Sequence, residues 1–138
     1  MQAKGSAAIS NAFHADTEEI TPVSAKTIAD SISVDLPRDG VRAIRAARET
    51  GGTYVTVSDK EIIKAIAEVG EMGVFAEPAG ATAYAGLVKA AASGIVGSAD
   101  PILVLNTGSG LKDVRAAMKA VKKAPIIEPT LEAVKRLL

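Results

Sequence analysis

Two short segments of the sequence place polar side chains and glycines directly after an apolar run. Thr-Gly-Ser-Gly at 107–110 follows the apolar run 101–106, and Glu-Pro-Ala-Gly at 77–80 follows a shorter one. In open α/β sheets, ligands bind at the carboxyl ends of the strands, so both segments are candidate ligand sites. Thr107 offers a hydroxyl there, and the glycines beside it let a flat ligand approach the backbone. A tight turn between a strand and a helix explains the same pattern without any ligand.

Several other chemistries do not match the residues. Leu-Lys-Asp follows Gly110, where the dinucleotide fingerprint needs a third glycine, and Lys112 is misplaced for a P-loop. His14 is the one histidine and there is no cysteine, so His14 has no second His or Cys with which to build a metal site. With one histidine and no placed nucleophile, a Ser-His-Asp triad cannot be argued either. We therefore expect no metal, and we expect His14 to lie on a surface helix.

The composition indicates one globular domain that does not bind nucleic acid or an anionic membrane. The chain has 138 residues, and 16 Lys plus Arg balance 16 Asp plus Glu. This balance gives no basic patch for nucleic acid or an acidic membrane. No stretch approaches the ~18 consecutive apolar residues of a membrane span, and the N-terminus lacks the apolar run of a secretory signal. With no cysteine, the composition suits a cytoplasmic protein.

The elements that must position the two segments alternate along the chain. Buried strands are predicted at 53–58, 73–77 and 101–106, and the last is the clearest. Helices are predicted between and after them, beginning after Pro37, Ser58, Pro78, Gly110 and Thr130. This alternation predicts an α/β fold with three layers, in which helices cover both faces of a mostly parallel sheet.

The first 36 residues are harder to interpret than the rest. The segment 2–13 suggests the end of a strand followed by a helix, and 24–32 suggests a helix capped by Ser24. A parallel sheet of three or four strands leaves two open edges and poorly covered faces. We therefore expect this chain to be part of a larger domain and to associate as a homo-oligomer.

Several stretches, taken in order, resemble a known family. "MQAKGSAAISNAF", "TIADSISVDLP", "GVFAEPAGATAYAGLVKA" and "ILVLNTGSGLKD" resemble the C-terminal half of the threonine synthases. These are fold-type II pyridoxal-phosphate enzymes, like tryptophan synthase β, threonine dehydratase and cysteine synthase. The resemblance covers nearly the whole chain. It implies that residues 1–138 are the C-terminal portion of an enzyme that converts O-phospho-L-homoserine and water to L-threonine and phosphate.

The resemblance also implies roles for four residues at the cofactor. Thr107 matches the hydroxyl that hydrogen-bonds the pyridine nitrogen, and Gly108 beside it makes room for the ring. Ser31 falls where a small residue lies against the ring, although other members have Ala or Gly there. Glu77 lies at a strand end near the ring, and a structural role for it is an open alternative.

The resemblance further implies that the catalytic lysine is not in this chain. The Schiff-base lysine, the asparagine stacked on the ring and the phosphate-binding loop of the family match segments upstream of Met1. Lys112 is not that lysine, because it follows the pyridine contact. We therefore expect no catalytic residue here, no covalently bound pyridoxal phosphate and no activity of the isolated chain.

Two alternatives stay open at this point. A threonine dehydratase or a cysteate synthase-like enzyme would use the same ring contacts, although "TGSGLKD" favours the threonine synthase branch over the dehydratases. A non-catalytic module that self-associates or regulates a partner is the alternative from another class. In the enzyme readings the substrate is a small amino acid or its phosphate, and neither nucleic acid nor membrane takes part.

Overall fold

The structure, a computed structural model, describes residues 1–137. Within these residues the chain is rich in α-helix and has one small sheet of two parallel strands. Short 3-10 turns at Lys4–Ser6, Asp30–Ile32 and Gly110–Asp113 connect the larger elements. In chain order the elements are β1 (Gln2–Ala3), α1 (Ala8–His14), α2 (Gly40–Glu49), β2 (Thr56–Val57), α3 (Asp59–Glu71), α4 (Pro78–Ala92), α5 (Val114–Ala120) and α6 (Leu131–Lys135).

The core lies where the two strands meet α3 and α4. β1 pairs with β2 in parallel, with Gln2 opposite Thr56 and Ala3 opposite Val57. Most of the buried residues are small, which lets the backbones of α3 and α4 approach closely. The principal core cluster comprises Ala3, Ala29, Val57, Ile62, Ala65, Ile66, Val69, Ala76, Ala81 and Ala85.

Local sequence signals predict where α3, α4 and α6 begin. α3 begins with the predicted capping box, in which the Ser58 hydroxyl accepts from Glu61 N and the Glu61 carboxylate accepts from Ser58 N. Pro78 is the first residue of α4, as expected from its fixed φ and missing N–H. The Thr130 hydroxyl caps α6 by accepting from Ala133 N. His14 ends α1 on the surface, which confirms that prediction.

The predicted sheet is only partly present. Of the segment 53–58, Thr56–Val57 alone is strand, and 73–77 contributes an isolated antiparallel bridge between Ala76 and Ser109. The segment 101–106 is not a strand within residues 1–137, and its Leu103 and Leu105 are 84% and 67% exposed. Ladder hydrogen bonds need a neighbouring strand on at least one side, and the described residues supply none for this segment. The prediction of a buried third strand is therefore wrong for this chain.

The segment 24–32 is also not the predicted helix. Residues 24–29 form neither helix nor strand, and the segment ends in the 3-10 turn Asp30–Ile32. Distant partners hold it in place: Lys26 N donates to Gly5 O at 2.9 Å, and Ile28 N donates to Asp59 Oδ2 at 3.1 Å. These tertiary hydrogen bonds override the helix propensity of a short segment.

The helix that follows Gly110 is shorter than the sequence predicts. The helix expected after Gly110 begins as a 3-10 turn and continues as α5 only to Ala120. Its continuation and α6 leave apolar side chains exposed, among them Val121, Leu131 and Val134. Among residues 1–137, no helix has the length and apolar character needed to cross a membrane.

We expect the capping box to stabilise the fold measurably and to be sensitive to acid. Ser58→Ala should lower the free energy of unfolding by about 1 kcal/mol at pH 7. Hydrogen bonds from the Ser58 backbone N–H and hydroxyl lower the pKa of Glu61 from its usual 4.5. The contribution of this carboxylate is therefore present above about pH 4.5 and is lost as the pH falls through the lower folded-state pKa.

Urea unfolding at several pH values measures this contribution. Ser98→Ala is the matched control, because Ser98 is an exposed loop residue. Equal effects of the two substitutions at pH 7 would contradict the role of the cap.

Candidate functional site

The glycine-rich turn at 107–110 is fixed to the start of α4 by backbone hydrogen bonds. Glu77 N donates to Gly108 O at 3.0 Å, and Gly110 N donates to Phe75 O at 2.8 Å. Together they form the antiparallel bridge between Ala76 and Ser109. The two segments that the sequence marks as candidate sites therefore lie side by side.

Glu77 is a buried acid at the N-cap of α4. Its carboxylate packs directly on the turn, so that a Cβ added to Gly108 would collide with Oε1. Glu77 is only 5% exposed, and Lys112 Nζ lies 3.3 Å from its Oε1. Gly108 is thus required by close approach to the Glu77 carboxylate.

Ser31 is delivered to the same region by the 3-10 turn Asp30–Ile32, which contacts α4. Buried Ser6 anchors this turn: its hydroxyl donates to Ile32 O at 3.0 Å and accepts from Val34 N at 3.0 Å. A hydroxyl that is buried and hydrogen-bonded on both sides specifies one backbone path. The hydrogen bonds of Ser6, in the N-terminal segment, therefore position the turn that carries Ser31.

A cavity of about 440 Å³ opens between these elements. This volume lies in the range of sites that bind small molecules and cofactors. The wall carries three carboxylates and one ammonium, and this negative balance disfavours the binding of a phosphate group. An uncharged ring is not repelled, and the volume can accommodate it. The lining residues are Asp30, Ser31, Glu77, Pro78, Ala79, Lys112 and Asp113.

The structure brings two of the four predicted site residues to this cavity, because Ser31 and Glu77 line it. Thr107 and Gly108 are not among the lining residues. They lie on the neighbouring turn, with Thr107 exposed and Gly108 packed on the Glu77 carboxylate. Residues 1–137 contain no cluster of three or more His, Cys, Asp or Glu side chains placed to hold a metal ion.

Sequence reasoning missed two contributors to this region. Lys112 was considered only as a phosphate ligand or a cofactor lysine, yet it pairs with Glu77, 35 residues away. Asp113 lines the cavity and also caps α5, where its Oδ1 accepts from Ala116 N at 2.9 Å. Both residues belong to the "LKD" that directly follows the turn, and this position is the sequence feature that could have indicated their place near the site.

Similarity to known proteins assigns the chain to a class of enzyme domain. Residues 1–108 match the family described as pyridoxal-phosphate dependent enzyme. This match covers more than half of the chain, so the chain belongs to that family. Pyridoxal phosphate is the cofactor of the complete enzymes in it.

Three curated relatives of the chain are named threonine synthase. Over its whole length the chain is 30% identical to the protein from Methanosarcina acetivorans and 35% identical to that from Methanocaldococcus jannaschii, and it covers 35% of each relative. It is 39% identical to threonine synthase from Mycobacterium tuberculosis over 71% of the chain and 28% of the relative. The chain therefore spans about a third of the length of the curated relatives it matches.

The residues present fit the ring end of pyridoxal phosphate and not its phosphate end. Thr107 is exposed and uncharged, and the cavity beside its turn has a volume suited to a ring. The carboxylates of Asp30, Glu77 and Asp113 would repel the cofactor phosphate. Within residues 1–137, Lys112 is the one cation that lines this cavity, and it does not balance three negative charges.

We expect the contact between Gly108 and Glu77 to be intolerant of a side chain. Gly108→Ala should lower the free energy of unfolding by about 1–3 kcal/mol, because the new methyl group would overlap the carboxylate. Gly70→Ala in α3 is the matched control, since a Cβ there meets open space. It should raise stability by about 0.5–1 kcal/mol. Thermal and urea unfolding measure both changes, and a neutral Gly108→Ala would show that the turn adapts.

Proposed function

We propose that this chain is the C-terminal portion of a threonine synthase-like enzyme. The complete enzyme would convert O-phospho-L-homoserine and water to L-threonine and phosphate. The observation that carries the proposal is the Thr-Gly-Ser-Gly turn beside Glu77 and the cavity that contains Ser31. Two relatives named threonine synthase, which match the whole length of this chain, support the choice of substrate.

In this proposal the chain supplies the floor under the cofactor ring. Pyridoxal phosphate, when bound, supplies an electron sink for bond breaking next to the amino-bearing carbon of the substrate. The Thr107 hydroxyl would hydrogen-bond the pyridine nitrogen as a neutral partner, so it does not force that nitrogen to be protonated. Ser31 would lie against the ring, and Gly108 would let the turn approach it. Glu77 would fix the turn from below.

The complete domain would contain the fuller sheet that the sequence predicts. Leu103 and Leu105 are exposed in a segment without helix or strand, which is unfavourable in water and suits a strand of a larger sheet. We propose that 101–106 becomes a strand in a three-layer, mostly parallel sheet once the rest of the domain is present. We propose that the complete enzyme is cytoplasmic, and the absence of cysteine from these 138 residues suits that compartment.

Phosphate release from O-phospho-L-homoserine tests the activity. The protein assayed must join these residues to a segment with the cofactor lysine, and a Ser-x-Lys-Asp-Arg-type motif in the reading frame upstream of Met1 would identify it. Thr107→Val should lower kcat about tenfold, because the hydroxyl is lost at equal size. Thr107→Ser should retain activity. Failure of the unsubstituted enzyme to form threonine, with turnover of another amino acid, would favour the dehydratase or cysteate synthase reading.

The isolated chain should not form a covalent adduct with the cofactor. Its lysines include Lys112, whose ammonium is paired with Glu77 beside the cavity. We expect incubation with pyridoxal phosphate to produce no lysine-bound absorbance band beyond that of a lysine-matched unfolded control. Borohydride reduction followed by peptide mass spectrometry measures this. A stoichiometric adduct at one specific lysine would overturn the view that the catalytic lysine lies elsewhere.

Self-association is expected for both candidate functions. Exposed apolar side chains on 101–106, α5 and α6 favour a homo-oligomer, whether the chain is an enzyme portion or a regulatory module. We expect light scattering coupled to size-exclusion chromatography to give a mass of at least twice 14.1 kDa. A monodisperse monomer across a tenfold concentration range would contradict the homo-oligomer and a module that acts by self-association.

A further inference from the structure

Lys112 and Glu77 form an ion pair of unequal burial beside the cavity. Lys112 Nζ lies 3.3 Å from Glu77 Oε1, and the side chains are 61% and 6% exposed respectively. The lysine therefore reaches from the surface to a carboxylate that water hardly contacts. Burial of an unpaired carboxylate is strongly unfavourable, so this acid depends on a nearby cation.

The Glu77 carboxylate is in turn a structural support for the turn at 107–110. It lies against Gly108, and the backbone N–H of the same residue donates to Gly108 O. A shift of this side chain would disturb both the packing and the bridge between Ala76 and Ser109. The state of the Glu77 side chain thus determines where the turn lies.

Lys112 also belongs to the element that follows the turn. It lies in the 3-10 turn Gly110–Asp113, and its backbone N–H donates to Ser109 O at 3.1 Å. The neighbouring Asp113 carboxylate is engaged by Ala116 N at the start of α5. The Lys112 ammonium pairs with Glu77 and not with this neighbouring carboxylate. Lys112 therefore contacts the turn through its backbone N–H and contacts Glu77 through its side chain.

We propose that Lys112 is a positioning residue for the 107–110 turn. Its ammonium neutralises the buried Glu77 carboxylate and ties the segment after the turn to the first residues of α4. Thr107 is then held in one position and offers an uncharged hydroxyl next to a compensated acid. The use of that hydroxyl at a cofactor ring rests on the proposed function, whereas the link between Lys112, Glu77 and the turn does not.

Amide hydrogen exchange in the cofactor-free chain tests this link. The Glu77 and Gly110 amides donate the two hydrogen bonds of the bridge, so their exchange rates report opening of the turn. Lys112→Met should speed exchange at both amides about tenfold, since it removes the charged partner and keeps most of the side-chain length. Lys112→Arg should restore slow exchange. Lys119→Met, at an exposed lysine of α5, is the matched control and should change neither rate.

Glu77→Gln completes a double-mutant cycle. This substitution preserves shape and removes the charge, so it should also speed exchange at the Gly110 amide. In the double variant, Lys112→Met should add little to Glu77→Gln, because the two residues act through one contact. Additive effects, or unchanged exchange in Lys112→Met with the global unfolding free energy intact, would overturn the proposal.

A ligand experiment separates this proposal from the proposed function. Pyridoxine has the pyridine ring and lacks both the aldehyde and the phosphate, so it probes the ring contact without reacting with lysine and without phosphate repulsion by the cavity carboxylates. We expect it to shift the Thr107 resonances in the unsubstituted chain and in Lys112→Arg, and to shift them several-fold less in Lys112→Met. No shift in the unsubstituted chain would count against the ring contact in the proposed function, while the exchange rates would still decide the role of Lys112.

Discussion

The burial of the Glu77 carboxylate is the constraint on which the site depends. An acid at the N-cap of a helix is favourable for the helix dipole, but removal from water is tolerated only when a cation and close packing compensate it. Lys112 provides the cation, and Gly108 provides the close packing because it has no side chain. The same contacts position the turn that carries Thr107. Helix start, turn and cavity wall therefore form one connected unit.

The second determinant of the structure is the small size of its core residues. Alanines from β1, α3 and α4 pack where larger side chains would hold the backbones apart. Such a core buries little apolar area per residue, and much apolar surface stays exposed on 101–106, α5 and α6. Leu103 and Leu105 in the segment 101–106 are among these exposed side chains.

Features encoded within one turn of backbone could be predicted from the sequence. The Ser58–Glu61 capping box, Pro78 at the first position of α4 and the Thr130 cap of α6 depend only on neighbouring residues, and all three occur as expected. The segment 101–106 shows the limit of such reasoning. Its apolar run has strand character, but a strand exists only where another segment pairs with it, and propensity does not reveal whether that segment is present. The same holds for 24–32, whose path is determined by Ser6 and Asp59.

The candidate site divides in the same way. The sequence by itself determined where α3, α4 and α6 begin and to which family the chain belongs, and it marked Glu77 and the turn at 107–110 as candidates, because these features are carried by residue type and order. Only the tertiary structure decided that Ser31 meets Glu77 at one cavity, and that Lys112 compensates a buried carboxylate 35 residues away. The physical reason is that charge compensation and close packing act through space. A pairing between distant residues leaves no periodicity or spacing in the chain from which it could be read.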